Sequence, residues 1–168
     1  MRKWSDYIRT VGGEPEIFSL VREGNVQRLL LYLARSGDPN LCNHKGHSLL
    51  MLAAYNGHEI LTQQLLRFGA DVHARDQAGS TILMGVAFKG HVEIARLLIA
   101  AGADIEALNN QGQSARLYAE AFGREDVLKL LNSHLSSEAA NEGKILRRLK
   151  AFFQIIKSPF KGELRHEH

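Results

Sequence analysis

The side chains of this chain that could do chemistry are its histidines and one thiol. Eight of its 168 residues are histidine, and Cys42 is the single cysteine. Cys42, His44 and His47 fall in one short stretch, and a metal ion there would need its donors within ~2.0–2.3 Å of one point. Asn43 and Lys45, which lie between them, add no further ligand. His58 and His91 each follow a glycine and stand 33 positions apart, a spacing that separates them into different structural units. His166 and His168 are terminal. No serine, cysteine or carboxylate pair stands in a catalytic pattern. Gly12-Gly13 and the later glycines lack the preceding strand and the following Gly-Lys-Ser/Thr of a phosphate-binding loop. These residues predict no enzyme, no metal and no cofactor.

Charge narrows the partners. The chain is 45% hydrophobic and 23% charged, which is ordinary for one globular domain with a substantial core. Its net charge of +3 is local: residues 144–161 hold six basic residues and no acidic one. Residues 1–143 hold 14 basic and 16 acidic residues, a net of −2, which argues against a nucleic-acid surface on the body. One cysteine permits no internal disulfide and suits a reducing compartment. The first residues lack the apolar core of a signal peptide, and no run approaches the ~18 apolar residues of a membrane span. The expectation is a cytoplasmic, soluble monomer.

The recurring glycines belong to a repeat. Asn43-His44-Lys45-Gly46-His47-Ser48-Leu49-Leu50-Met51-Leu52-Ala53-Ala54 returns as Asp76-Gln77-Ala78-Gly79-Ser80-Thr81-Ile82-Leu83-Met84-Gly85-Val86-Ala87, displaced by 33. Gly57-His58-Glu59 returns as Gly90-His91-Val92-Glu93, and Gly69-Ala70-Asp71-Val72 as Gly102-Ala103-Asp104-Ile105. Self-similarity at this period resembles the ankyrin repeat family, in the form of a small bacterial-type member with about four repeats. The resemblance implies an all-α solenoid of helix-turn-helix repeats, short hairpin loops, and terminal capping helices.

Taken in order, residues 1–12 place Trp4, Tyr7, Ile8 and Val11 on one face of a short helix, expected to cap the array. The repeats then run over 13–42, 43–75, 76–108 and 109–135. Pro15 is expected at the first position of an inner helix, and Leu29, Leu30, Leu31 and Leu33 on an outer one. Ser48 and Thr81 can cap inner helices. Leu50, Leu65, Leu66, Leu83, Leu98 and Ile99 form the predicted buried stripe. Gly57, Gly69, Gly90 and Gly102 end helices by taking positive φ. The family's Thr-Pro-Leu-His is replaced by Ser48-Leu49-Leu50-Met51 and Thr81-Ile82-Leu83-Met84, so packing by Met51 and Met84 is expected to replace the histidine's hydrogen bonds. In the fourth repeat, Asn132 and Leu135 depart from the pattern in the manner of a cap. Residues 136–143 read as a polar linker, 144–161 as a basic amphipathic helix built on Ile145, Leu149, Phe152 and Ile156, and 162–168 as a frayed tail.

The resemblance also implies which positions face the concave side. Mapped onto this sequence, they give a partner-binding surface of Arg22, His44, Lys45, His47, Tyr55, Asn56, Arg75, Gln77, Phe88, Lys89, Leu108 and Phe122. Tyr55 and Phe88 are equivalents in adjacent repeats and should lie side by side, with Phe122 near the same row. Exposed aromatics bordered by cations have the composition of a protein interface. The expected function is therefore non-catalytic binding of another protein. The alternative is attachment to a membrane surface or an acidic partner through 144–161, with Arg147, Arg148, Lys150, Phe152 and Phe153 making the contact. That helix could also regulate the repeat groove.

Overall fold

The computed structural model describes residues 10–11 and 14–135. The chain divides into two compact units, Met1–Leu131 and Asn132–His168. All but 132–135 of the second lies outside the described residues, as do the expected linker, basic helix and tail, with Arg147, Arg148, Lys150, Phe152 and Phe153.

The first unit opens on a minimal hairpin in which β1 (Thr10–Val11) pairs antiparallel with β2 (Glu14–Pro15), Thr10 opposite Pro15. This corrects the helix expected over 1–12 at its C-terminal end, because residues 10–11 are extended and paired. Residues 1–9 lie outside the described residues. Among the described residues the later elements are helices, with isolated β-bridges between Cys42 and Ser48 and between Arg75 and Thr81. α1 (Glu16–Arg22) and α2 (Val26–Ala34) form the first pair, α3 (Leu49–Tyr55) and α4 (Glu59–Arg67) the second, and α5 (Ile82–Lys89) and α6 (Val92–Ala100) the third. α7 (Ala115–Ala121) is followed in this unit by helical residues 125–131, and residues 132–135 of the second unit are helical. The inner helices α1, α3, α5 and α7 pack in succession, and the outer helices α2, α4 and α6 form a second layer against them. No helix among the described residues is long and apolar enough to cross a membrane.

Local chemistry sets each boundary. The hydroxyls of Ser48, Thr81 and Ser114 accept the backbone N–H of Met51, Met84 and Leu117, satisfying donors that a helix start leaves orphaned. Pro15 sits one place earlier than expected, at the N-cap of α1. Gly69 and Gly102 end α4 and α6 in the left-handed region at φ 83° and 94°. At the same register the first repeat has Ser36, which takes φ 62° despite its Cβ. Gly37, beside it, lies against the Tyr32 ring, whose hydroxyl donates to the Asp38 carbonyl at 3.0 Å.

The core between the layers is formed by Leu29, Leu33, Leu49, Leu50, Leu61, Leu65, Ile82, Leu83, Ile94 and Leu98. Leu66 and Ile99, expected in the stripe, are only half-buried, as is Leu30 on α2, and Leu31 is 43% exposed. Leu30, Leu66 and Ile99 each directly follow the buried Leu29, Leu65 or Leu98, so they point about 100° around the helix from the buried face. Ala53, Ala54 and Ala87 are fully buried, where small side chains let α3 and α5 approach their neighbours. Met51 and Met84 are buried as expected. Met84 also keeps a trace of the lost polar tie, since its Sδ accepts the Thr81 backbone N–H at 3.4 Å, a weak bond for a thioether.

Candidate functional site

The hairpin loops that precede α3, α5 and α7 are built on one device. Asn43 Oδ1 accepts the N–H of Lys45 and His47, Asp76 Oδ1 those of Ala78 and Ser80, and Asn109 Oδ1 those of Gln111 and Gln113. Side-chain oxygens thus organise each tight turn. Adjacent loops are then stitched together. Gln77 Nε2 donates to the His44 carbonyl at 2.7 Å, Asn110 N to the Ala78 carbonyl at 3.1 Å, and Arg75 Nη1 to the carbonyls of Gly79 and Leu108 at 2.9 and 2.7 Å.

A second ladder fixes the inner helices against the next repeat. A ring N–H of His58 donates to the Arg22 carbonyl at 2.8 Å, and one of His91 to the Tyr55 carbonyl at 3.3 Å. Arg124 Nε repeats the contact to the Phe88 carbonyl at 3.0 Å. Each carbonyl belongs to the last turn of an inner helix, where carbonyls lack intrahelical partners. The rings lie against Gly24 and Gly57, where a Cβ would approach them to 2.8 and 2.9 Å. Both glycines also adopt positive φ, at 79° and 80°. These histidines are therefore structural, and their recurrence in the sequence was the signal for it.

With loops and helices so placed, a groove of about 730 Å³ opens between them. Arg22, His44, Lys45, His47, Tyr55, Asn56 and Phe88 line it, all of them sequence candidates. Tyr55 closes α3 and Phe88 lies in the last turn of α5; their rings are stacked at 6.2 Å with an interplanar angle of 5°. Phe122 joins the row edge-on, 4.5 Å from Phe88. Tyr55 and Phe122 remain 38% and 48% exposed, and Lys89 Nζ sits 4.7 Å above the Tyr55 ring in a cation–π contact. Arg75 and Gln77 are occupied in loop stitching, and Leu108 is 55% exposed away from the groove lining.

Glu14, Asn43, Leu52, Asp76, Gly85 and Tyr118, which the sequence did not single out, complete the groove together with Ser80, implied by the resemblance, and the packing residues Met51 and Met84. Glu14 anchors one end. Its carboxylate accepts Arg22 Nη2 at 2.7 Å and Asn43 Nδ2 at 2.8 Å, with His44 Nδ1 3.4 Å away. The Arg22 hydrogen bond, opposed in part by burial, holds this carboxyl below its ordinary range. Tyr118 forms a wall at the other end, its hydroxyl donating to Gln113 Oε1 at 2.9 Å.

A separate apolar pocket of about 320 Å³ lies on the first repeat between Pro15, Ile17, Leu20, Leu31, Tyr32 and Leu41. Among the described residues no group of three histidine, cysteine or carboxylate side chains could hold a metal ion. Burial, with Asp38 and Asp71 nearby, pushes the Cys42 thiol above its usual range.

Comparison with known proteins places this architecture. Residues 17–107 and 60–141 match the family model of ankyrin repeats (3 copies). A curated Pseudomonas aeruginosa protein described as an ankyrin repeat protein is 58% identical over 43 residues, which are 26% of this chain. The matched stretch spans 25% of that relative's length.

Proposed function

Because the chain belongs to the ankyrin repeat family, whose repeats generally mediate protein–protein interaction and are typically non-catalytic, we propose that it is a binding module holding a partner protein in the groove beneath its hairpin loops. The observation that carries this is the aromatic row of Tyr55, Phe88 and Phe122, with Tyr55 and Phe122 exposed to solvent and Phe88 half-buried between them. Rigid aromatic rings offer large contact area at little entropic cost, and interface hot spots are enriched in them. The loop stitching and the His58 and His91 ladder support the same reading, since they hold the row in place before any partner arrives. Preorganisation of this kind lowers the cost of binding.

The test is the double variant Tyr55→Ala/Phe88→Ala. A partner captured from the native cell should bind it about tenfold or more weakly, while circular dichroism shows an unchanged helical fold. Unchanged affinity of a folded double variant would remove the groove from consideration.

A second reading, attachment to an anionic membrane surface through 144–161, is favoured by the +6 charge of that segment. Each basic residue near such a surface is worth about 1 kcal/mol. Co-sedimentation of the full chain with phosphatidylserine vesicles at low salt should then exceed that with neutral vesicles, and equal recovery in both would contradict it.

A further inference from the structure

Across the floor of the groove, one register of the repeat is occupied by Leu52, Gly85 and Tyr118, and all three line it. The central position therefore has no side chain, between a leucine and a tyrosine that do. Gly85 lies inside α5, where glycine is a weaker helix former than alanine. The backbone conformation does not ask for it. Its φ is not positive, unlike those of Gly57 and Gly90. Among the described residues beyond its own helix and chain neighbours, a Cβ added at Gly85 would come within 4 Å of one heavy atom only, Cδ2 of Tyr55 at 3.3 Å. By contrast, a Cβ at Gly57 or Gly90 would meet a neighbouring side chain at 2.9 Å. The weaker residue leaves a notch in the groove lining, with the Tyr55 ring at its edge and Leu52 and Tyr118 at the same register in the adjacent repeats.

The charges around the notch point to its occupant. Its two carboxylates are engaged within the fold: Glu14 by Arg22 and Asn43, and Asp76 Oδ1 by the N–H groups of Ala78 and Ser80. Among the described residues neither Lys45 nor Lys89 forms an ion pair, and the Lys89 ammonium faces the Tyr55 ring instead. His44 and His47 stand in the same loop as Lys45. The cations outside any ion pair are thus Lys45 in the groove lining and Lys89 beside it over Tyr55, while Glu14 is paired with Arg22. Residues 144–161, at +6, carry the wrong sign for such a rim.

We propose that the notch at Gly85 is the anchor subsite of the groove, and that it receives one large apolar side chain from an acidic segment of a partner protein. This rests on the groove being the binding surface. It adds to that the chemistry of the segment and the residue that selects it. Burying one leucine- or phenylalanine-sized group supplies the hydrophobic anchor, and carboxylates on either side meet Lys45 and Lys89 and steer association.

A displayed library of random peptides, panned on the full chain, tests this. The expected consensus is a leucine, phenylalanine or tryptophan flanked by aspartate or glutamate, with affinity falling as salt rises. Gly85→Leu fills the notch and should weaken the consensus peptide about tenfold or more, while unfolding at no lower temperature than the wild type. Lys45→Glu/Lys89→Glu lies on the surface and serves as the independent variant. It too should weaken the peptide about tenfold and remove most of its salt dependence. No enriched peptide, a basic consensus, a consensus without a large apolar residue, or unchanged binding by either variant would overturn the proposal. If Tyr55→Ala/Phe88→Ala still loses the cellular partner in that case, the groove stands and the notch assignment falls. If the double variant binds as the wild type does, both fall.

Discussion

At Glu14 a single carboxylate joins the start of α1 to its last turn and to the next loop, through Arg22, Asn43 and His44. Its pKa is lowered in the fold, so its contribution to stability is fully present above the ordinary carboxylate range and is lost as pH falls through the folded value. Glu14→Gln should therefore be less stable than the wild type in urea denaturation at pH 7, with the gap closing under acid conditions. A gap that is constant with pH would mean that packing, and not charge, is what Glu14 supplies. A capping hydroxyl behaves differently: Thr81→Ala should cost about 1 kcal/mol at any pH, read by the same denaturation. At this scale the sequence was informative where function and register coincide. Tyr55 and Phe88 could be placed side by side because they occupy equivalent positions, and their rings do stack. Glu14 and Gly85 were not legible, because an acid near Pro15 or a glycine inside a helical run has no periodic signature that sets it apart.

Among the elements, glycine means two opposite things, and one substitution separates them. Gly57 holds φ 80° beneath His91, so Gly57→Ala should destabilise by about 1–2 kcal/mol from the left-handed backbone alone, with more from the ring that must move. Gly85→Ala, inside α5, should instead be neutral or stabilising by up to about 1 kcal/mol. Thermal unfolding of the two variants checks the contrast, and destabilisation by both would mean that Gly85 is required for packing. Helices α3 to α6 were legible because apolar stripes and terminal glycines agreed on their bounds, with hydroxyl caps at Ser48 and Thr81 for α3 and α5. The segment before Pro15 was not. Apolar spacing over a dozen residues fits a helix, but the pattern carries no information on whether its end pairs with a neighbour, and residues 10–11 do pair. The recurrence of His58 and His91 marked them as structural, but their partners were hidden for a related reason. Their partners are backbone carbonyls one repeat away, to which no side-chain pattern points.

For the molecule as a whole, the bonds that join one copy to the next all span about one period. Asn40 reaches Gly69, Arg75 reaches Leu108, Gln77 reaches His44 and His91 reaches Tyr55. Stability in such an array is a chain of neighbour terms, so the groove is firmest where a copy has neighbours on both sides, around α3 and α5. That is where Tyr55, Phe88 and Gly85 lie. The central claim, that a partner occupies this groove, is tested most directly by photo-crosslinking in the native cell. A photoreactive residue replaces either Asn56, which lines the groove, or Gln63, exposed on the outer helix α4. A discrete crosslinked partner from position 56 and none from position 63 is the predicted result. A partner trapped from position 63, with position 56 silent, would place recognition on the outer layer and contradict the account.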